Sequence, residues 1–85
     1  MKRKHVKTLA LIFHRPASAN VRFTDVLALL VDLGAKVETS REGSRVGVVL
    51  FEEVRVLHQP HPEPNMDKGA VAAVRDWLQQ HGVTP

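Results

Sequence analysis

The chain has 85 residues, 44% hydrophobic and 25% charged, which is the makeup of one ordinary globular domain rather than a disordered segment. It carries no cysteine, which excludes a disulfide scaffold or a thiolate metal site and fits a reducing cytoplasm. Its net charge of +3 permits nucleic-acid contact without requiring it. Its longest apolar runs, residues 9–13 and 26–31, are far short of the ~20 residues of a membrane span, so no membrane partner is expected.

The first element is a helix over residues 5–14, in which Val6, Leu9, Ile12 and Phe13 recur at helical spacing. Lys2, Arg3, Lys4 and Lys7 make its start basic, either as a nucleic-acid contact or simply as a solvated helix end; no apolar core of a secretory signal accompanies them. Arg15-Pro16 stops the helix, because a residue before proline avoids the helical region. After a loop and a short extended piece at Val21-Arg22-Phe23, Thr24 reads as the N-cap of a second helix, with Asp25 at its positive end. Val26, Leu29, Leu30 and Leu33 form the buried stripe, and Leu27 and Val31 widen it, so cover on two sides is expected. Gly34 ends the helix.

Three strands follow, over residues 35–41, 45–51 and 54–59, with a turn at Glu42-Gly43 and a tight hairpin at Glu52-Glu53. Pro60, Pro62 and Pro64 then prevent ladder pairing. Asp67 is the expected N-cap of a last helix over residues 68–81, with Val71, Val74 and Leu78 inward, Ala70 and Trp77 flanking, and Gly82 at its end. The order α-α-β-β-β-α predicts an α+β fold, a three-stranded antiparallel sheet packed on one face by helices.

A two-residue turn at Glu52-Glu53 pairs Phe51 with Val54, and the register then sets Gly47 opposite His58, Arg45 opposite Pro60 and Ser44 opposite His61. Ser44, Arg45, His58 and His61 gather at one end of the hairpin. The chemistry on offer is metal-free acid–base work: a histidine can take the proton of an attacking hydroxyl, a second can supply one to the leaving group, and an arginine can hold a phosphate. The same residues also read as ordinary strand-end and loop side chains. His58 and His61 lack a third ligand at useful spacing, so neither a metal nor any other cofactor is expected. His14 and His81 read as structural residues at helix C-termini.

The order and spacing of Ser18-Ala19-Asn20, Gly43-Ser44-Arg45, His58 through His61-Pro62, and Asp67-Lys68-Gly69-Ala70-Val71 resemble the HicA toxin family from about Phe23 to Val83. The first helix, residues 5–14, resembles an amino-terminal extension of a HicA subgroup, preceding a core at 21–83. The resemblance implies a double-stranded-RNA-binding-domain-like fold, metal-independent cleavage of RNA, chiefly mRNA, and a HicB antitoxin that covers the active site. The family's motif is Gly-Ser-His, with its histidine catalytic. Here Arg45 stands in that place, and arginine stays protonated. Three readings follow. In an RNA-cleaving toxin, Arg45 clamps phosphate and His58 and His61 exchange protons. In a binding module, Ser44, Arg45, Arg55, Lys68, Lys4 and Lys7 contact RNA without cleavage. In an interaction domain, only an antitoxin-like protein binds.

Overall fold

Leu29 and Leu30 at the centre of a ten-residue helix have no solvent exposure, and the other elements are arranged to keep them so. A computed structural model describes residues 1–39 and 43–85. In chain order the elements are α1 (Arg3–Phe13), α2 (Phe23–Asp32), β1 (Lys36–Thr39), β2 (Arg45–Leu50), β3 (Glu53–His58) and α3 (Lys68–Gln80). The predicted α+β order is present, with an antiparallel sheet ordered β1-β2-β3. The end of the predicted first strand at Ser40-Arg41 and the Glu42 half of the predicted turn lie outside the described residues.

α1 packs on α2 and α3. Its buried stripe is His5, Thr8, Leu9 and Ile12, whereas Val6 is 53% exposed. Leu9 and Ile12 are buried as predicted and Phe13 packs against the core, but Val6 is turned out and His5 is buried instead. His5 and Thr8 lie at i, i+3 spacing with Leu9 and Ile12 at i+4 and i+7, and polarity hid them from an apolar count. Thr8 can be buried because its hydroxyl donates to the Lys4 carbonyl at 3.0 Å. His14 follows as C-cap, its Nδ1 3.0 Å from the Pro16 carbonyl.

α2 starts two residues before Thr24 could cap it. Arg22 is the N-cap residue and gives no side-chain hydrogen bond. The proline loop does the capping instead: the Phe23 amide donates to the Pro64 carbonyl at 3.0 Å, and the Met66 amide to the Val21 carbonyl at 2.8 Å. The first of these bonds satisfies the Phe23 amide, one of the first-turn donors that has no partner inside the helix. Cover on two sides is not found, since Leu27 is half-buried and Val31 is 53% exposed. Gly34 closes the helix at φ +107°, with the Ala35 amide returning to Leu30 and the Gly34 amide to Val31. Gly82, at φ +75°, closes α3 by the same pair of bonds to Leu78 and Gln79.

The sheet buries Val46, Val48 and Leu50 against the helices, with Val37 and Leu57 beside them. Its other face is open and carries Val49, Val54 and Val56 at 38%, 70% and 55% exposure. The β2–β3 hairpin turns at Phe51-Glu52, one residue earlier than predicted, with both residues in the left-handed region at φ 56° and 61°. Leu50 pairs with Glu53 and Arg45 with His58. The error leaves every face intact, because a shift of two in paired numbers preserves the alternation.

What holds the turn is α3. Trp77, predicted to flank, is buried, and its indole N–H donates to Glu53 Oε1 at 2.8 Å. The His81 Nε2 lies 2.7 Å from the same oxygen. Phe51 stacks on His81, with centroids 4.1 Å apart, and meets Trp77 edge-on at 5.7 Å. Arg55 lies over the Trp77 ring at 5.3 Å. The hydrogen bond from Trp77, then that of His81, lowers the Glu53 pKa below its ordinary value against an opposing effect of desolvation, and the charges of His81 and Arg55 add smaller contributions in the lowering direction.

Two outcomes follow. Glu52 is exposed and pays the left-handed penalty of roughly 1–2 kcal/mol without a glycine's freedom. After the entropic penalty of glycine, Glu52→Gly is expected to raise stability by about 0.5–1 kcal/mol, read as a melting point several degrees higher. A lowered melting point would show that the turn depends on the glutamate itself. For Glu53 the folded pKa is depressed, so its contribution is present above the unfolded value and disappears as pH falls through the folded one. Urea midpoints followed from neutral pH downward should therefore fall less steeply in acid for Glu53→Gln than for the parent chain.

Candidate functional site

The far end of the same hairpin collects the chemistry. With the turn at Phe51-Glu52, Arg45 at the start of β2 and His58 at the end of β3 are direct cross-strand partners. Directly opposed side chains in an antiparallel pair have Cβ atoms roughly 4.5–5.5 Å apart. Both residues are exposed and share the open face of the sheet with Val49, Val54 and Val56. The predicted pairings of Arg45 with Pro60 and of Gly47 with His58 are replaced by Arg45 with His58 and Gly47 with Val56. The space at Gly47 is bounded by the Glu38 carbonyl of β1, which a Cβ would meet at 3.6 Å.

One step beyond the strands, the Gln59 amide donates to the Ser44 carbonyl at 2.7 Å, extending the ladder. Ser44 is thus beside Gln59 rather than His61. Beyond that bond the chain leaves the sheet, and Gly43, Ser44, Gln59, Pro60 and His61 line a cleft of about 400 Å³. Gly43 has φ +88°, a conformation that favours glycine, and a side chain there would project into open space. Strand alternation sends Ser44 and Gln59 to the side opposite Arg45 and His58. The four candidates therefore meet at one end of the hairpin as two sets: Arg45 with His58 on the open sheet face, and Ser44 with His61 around the cleft.

The remaining candidates are placed elsewhere. Arg55 lies over Trp77, 3.8 Å from Glu53, on the helix-facing side of β3. Lys68 opens α3 and is exposed, but Asp67 already takes the positive end of that helix, accepting the Ala70 amide at 2.8 Å. Lys4 and Lys7 are exposed on α1, which packs against α2 and α3 behind the sheet. Gln59 and Pro60 were not among the candidate site residues, although the correct turn would have put Gln59 next to Ser44. The exposure of Val54 and Val56 runs against the sequence pattern, in which their alternation with Glu53 and Arg55 would turn the valines inward. Among the described residues, no group of three or more His, Asp or Glu side chains is placed to hold a metal ion.

A family model described as the HicA toxin of bacterial toxin–antitoxin systems matches residues 23–83. No curated protein and no solved structure matches the chain. No helix is long and apolar enough to cross a membrane among the described residues.

Because Arg45 and His58 are exposed, removing either side chain should leave the fold intact. Arg45→Ala and His58→Ala are each expected to change unfolding free energy by no more than about 0.5 kcal/mol in urea titrations. A substantially larger loss would make the pair part of the hairpin's support rather than a free chemical group.

Proposed function

The chain belongs to the HicA toxin family, and from that membership we propose that it is a metal-independent endoribonuclease of the cytoplasm, held in check by a HicB-like antitoxin. Membership makes it the toxin of a toxin–antitoxin pair and implies an antitoxin partner. The single observation that carries the RNA-cleaving reading is the joint placement of the Ser44–His61 cleft and the Arg45–His58 pair at one hairpin end. In this reading residues 1–85 act as one domain, and mRNA is the substrate.

The reaction needs only proton transfers and charge neutralisation. The RNA 2′-hydroxyl attacks the adjacent phosphorus and gives its proton to one histidine. The 5′-oxygen leaves and takes a proton from the other, so the products are a 2′,3′-cyclic phosphate and a free 5′-hydroxyl. We assign the proton transfers to His61 and His58 and the phosphate clamp to Arg45, whose guanidinium can hold two phosphate oxygens at once. Ser44 offers a hydroxyl to the strand at the cleft wall. Lys68, exposed at the start of α3, adds positive charge for the RNA, whereas Arg55 is turned toward Trp77 and Lys4 and Lys7 stand behind the sheet.

One observation favours a second reading. By its resemblance to the family motif, Gly43-Ser44-Arg45 has arginine where the motif has histidine, and arginine cannot serve as a general base. A toxin fold that binds RNA or its antitoxin without cleaving would have that residue pattern.

Purified protein incubated with mRNA and a chelator distinguishes the two. Cleavage that persists in chelator and yields cyclic-phosphate ends is expected, as is growth arrest on expression. His61→Ala and His58→Ala should each slow cleavage by about 10²-fold or more. If both variants cleave RNA and arrest growth like the parent, the assignment is wrong. Salt-sensitive RNA binding without cleavage would establish the binding-only reading.

A further inference from the structure

The family match begins at Phe23, so α1 lies wholly outside it. That helix nevertheless contributes Leu9 and Ile12 to the core and packs on α2 and α3. Where its first turn approaches α2 it leaves an open cleft of about 490 Å³, walled by Lys2, Lys4 and His5 on one side and by Leu27, Val31 and Asp32 on the other. The cleft is therefore a joint product of the added helix and the family unit.

Three observations describe what would fill it. The first is charge. Lys2 at the N-cap position gives no side-chain hydrogen bond, and the first turn of α1 holds no acid, so the helix's positive end is uncompensated beside two lysines. The second is the floor, which is aliphatic: Leu27 is half-buried, Val31 is 53% exposed, and Val37 of β1 completes the lining. No Phe, Tyr or Trp lines it, and its one imidazole, that of His5, is only 4% exposed, so a nucleotide base has no open ring to stack on. Asp32 on the rim limits the negative charge the cleft accepts, which weighs more against a continuous phosphate backbone than against a short peptide with spaced carboxylates. The third is His5, which lines the cleft at only 4% exposure while its Nδ1 is buried without a hydrogen-bond partner among the described residues. A buried polar atom left unpaired is a cost, and a turn of the imidazole toward a docked chain would relieve it.

We propose that the α1–α2 cleft docks a short acidic segment of a protein partner, its carboxylates set against Lys2, Lys4 and the α1 N-terminus and an aliphatic side chain resting on Leu27 and Val31. The cleft is open, which suits an extended peptide better than an enclosed small molecule. The docking site is separate from the hairpin end and does not depend on RNA cleavage.

The test uses the full chain and a blocked five-residue peptide of alternating glutamate and leucine, followed by amide chemical shifts. The peptide is expected to move the amides of Lys4, His5, Ala28 and Val31 at low salt, saturating with a Kd below about 1 mM. The same peptide with lysine for glutamate should leave them in place. Val31→Asp, an exposed change, and Lys4→Glu should each weaken binding at least about tenfold, while Val54→Asp on the open sheet face should not. Absence of these shifts overturns the proposal. So does a single-stranded RNA oligonucleotide that moves the same amides at lower concentration, since the cleft would then belong to the RNA path. A Val31→Asp protein whose spectrum is otherwise unchanged but which binds the peptide normally overturns it as well.

Discussion

The turn at Phe51-Glu52 decides what the other end of its hairpin can do. An antiparallel ladder is a rigid counting device: once Leu50 is set against Glu53, Arg45 must stand against His58. The turn is not held by turn chemistry, for neither phenylalanine nor glutamate favours the left-handed region that both occupy. It is held from the side. Phe51 is stacked on His81 and edge-on to Trp77, and Glu53 accepts hydrogen bonds from both of those residues. The C-terminal end of α3 thereby fixes a register whose consequences appear at the opposite end of β2 and β3. Charge alone would not supply this hold, since the Arg55–Glu53 contact is long and half-exposed. The buried indole and its hydrogen bond would.

The same arrangement divides the sheet between two duties. Its inner face, through Val46, Val48 and Leu50, closes a core with Leu29, Leu30, Val71, Val74 and Leu78. Losing one such leucine to alanine typically costs about 2–5 kcal/mol, a large share of the 5–15 kcal/mol available to a small domain. The inner face therefore has little freedom to change. The outer face has no such duty, and it keeps three exposed valines beside Arg45 and His58. In the proposed toxin, that face is where an antitoxin could find apolar surface next to the residues it must cover.

Much of this organisation was legible in the residues. Asp67 before Lys68, Gly34 after a leucine-rich helix and Gly82 after α3 each announced a helix end through a specific backbone need, and each is where those signals placed it. What was illegible had a tertiary cause. Thr24 had the right chemistry for an N-cap, but the helix starts earlier, at Phe23, whose amide the Pro64 carbonyl accepts from forty-odd residues along the chain. His5 and Thr8 are buried because α2 and α3 lie over them, which no apolar count on α1 alone can register. The hairpin turn was misplaced by one residue because its determinant, the anchoring of Phe51 and Glu53 to Trp77 and His81, is a contact across about two dozen residues. The candidate site inherited that error in its pairings but not in its faces.

Alternation also constrains where a single phosphate could meet all four candidates. On the sheet proper, Arg45 and His58 face one way while Ser44 and Gln59 face the other, and no one ligand can lie on both sides of a strand pair. The separation ends where the ladder ends. Past the Gln59–Ser44 bond the backbone no longer alternates, and His61 stands in a loop lining the cleft with Ser44. In the RNA-cleaving reading, the scissile phosphate therefore belongs over the strand termini, not on the sheet face, with Arg45 reaching it from one side and His61 from the other. Arginine at position 45 suits that geometry, because its long, forked side chain can extend past the end of a strand to hold phosphate oxygens, whereas a general base must stand beside the proton it takes. The Gly-Ser-Arg sequence would then mark a redistribution of duties at the hairpin end: charge neutralisation from Arg45, proton transfer from His58 at the end of β3 and His61 in the loop.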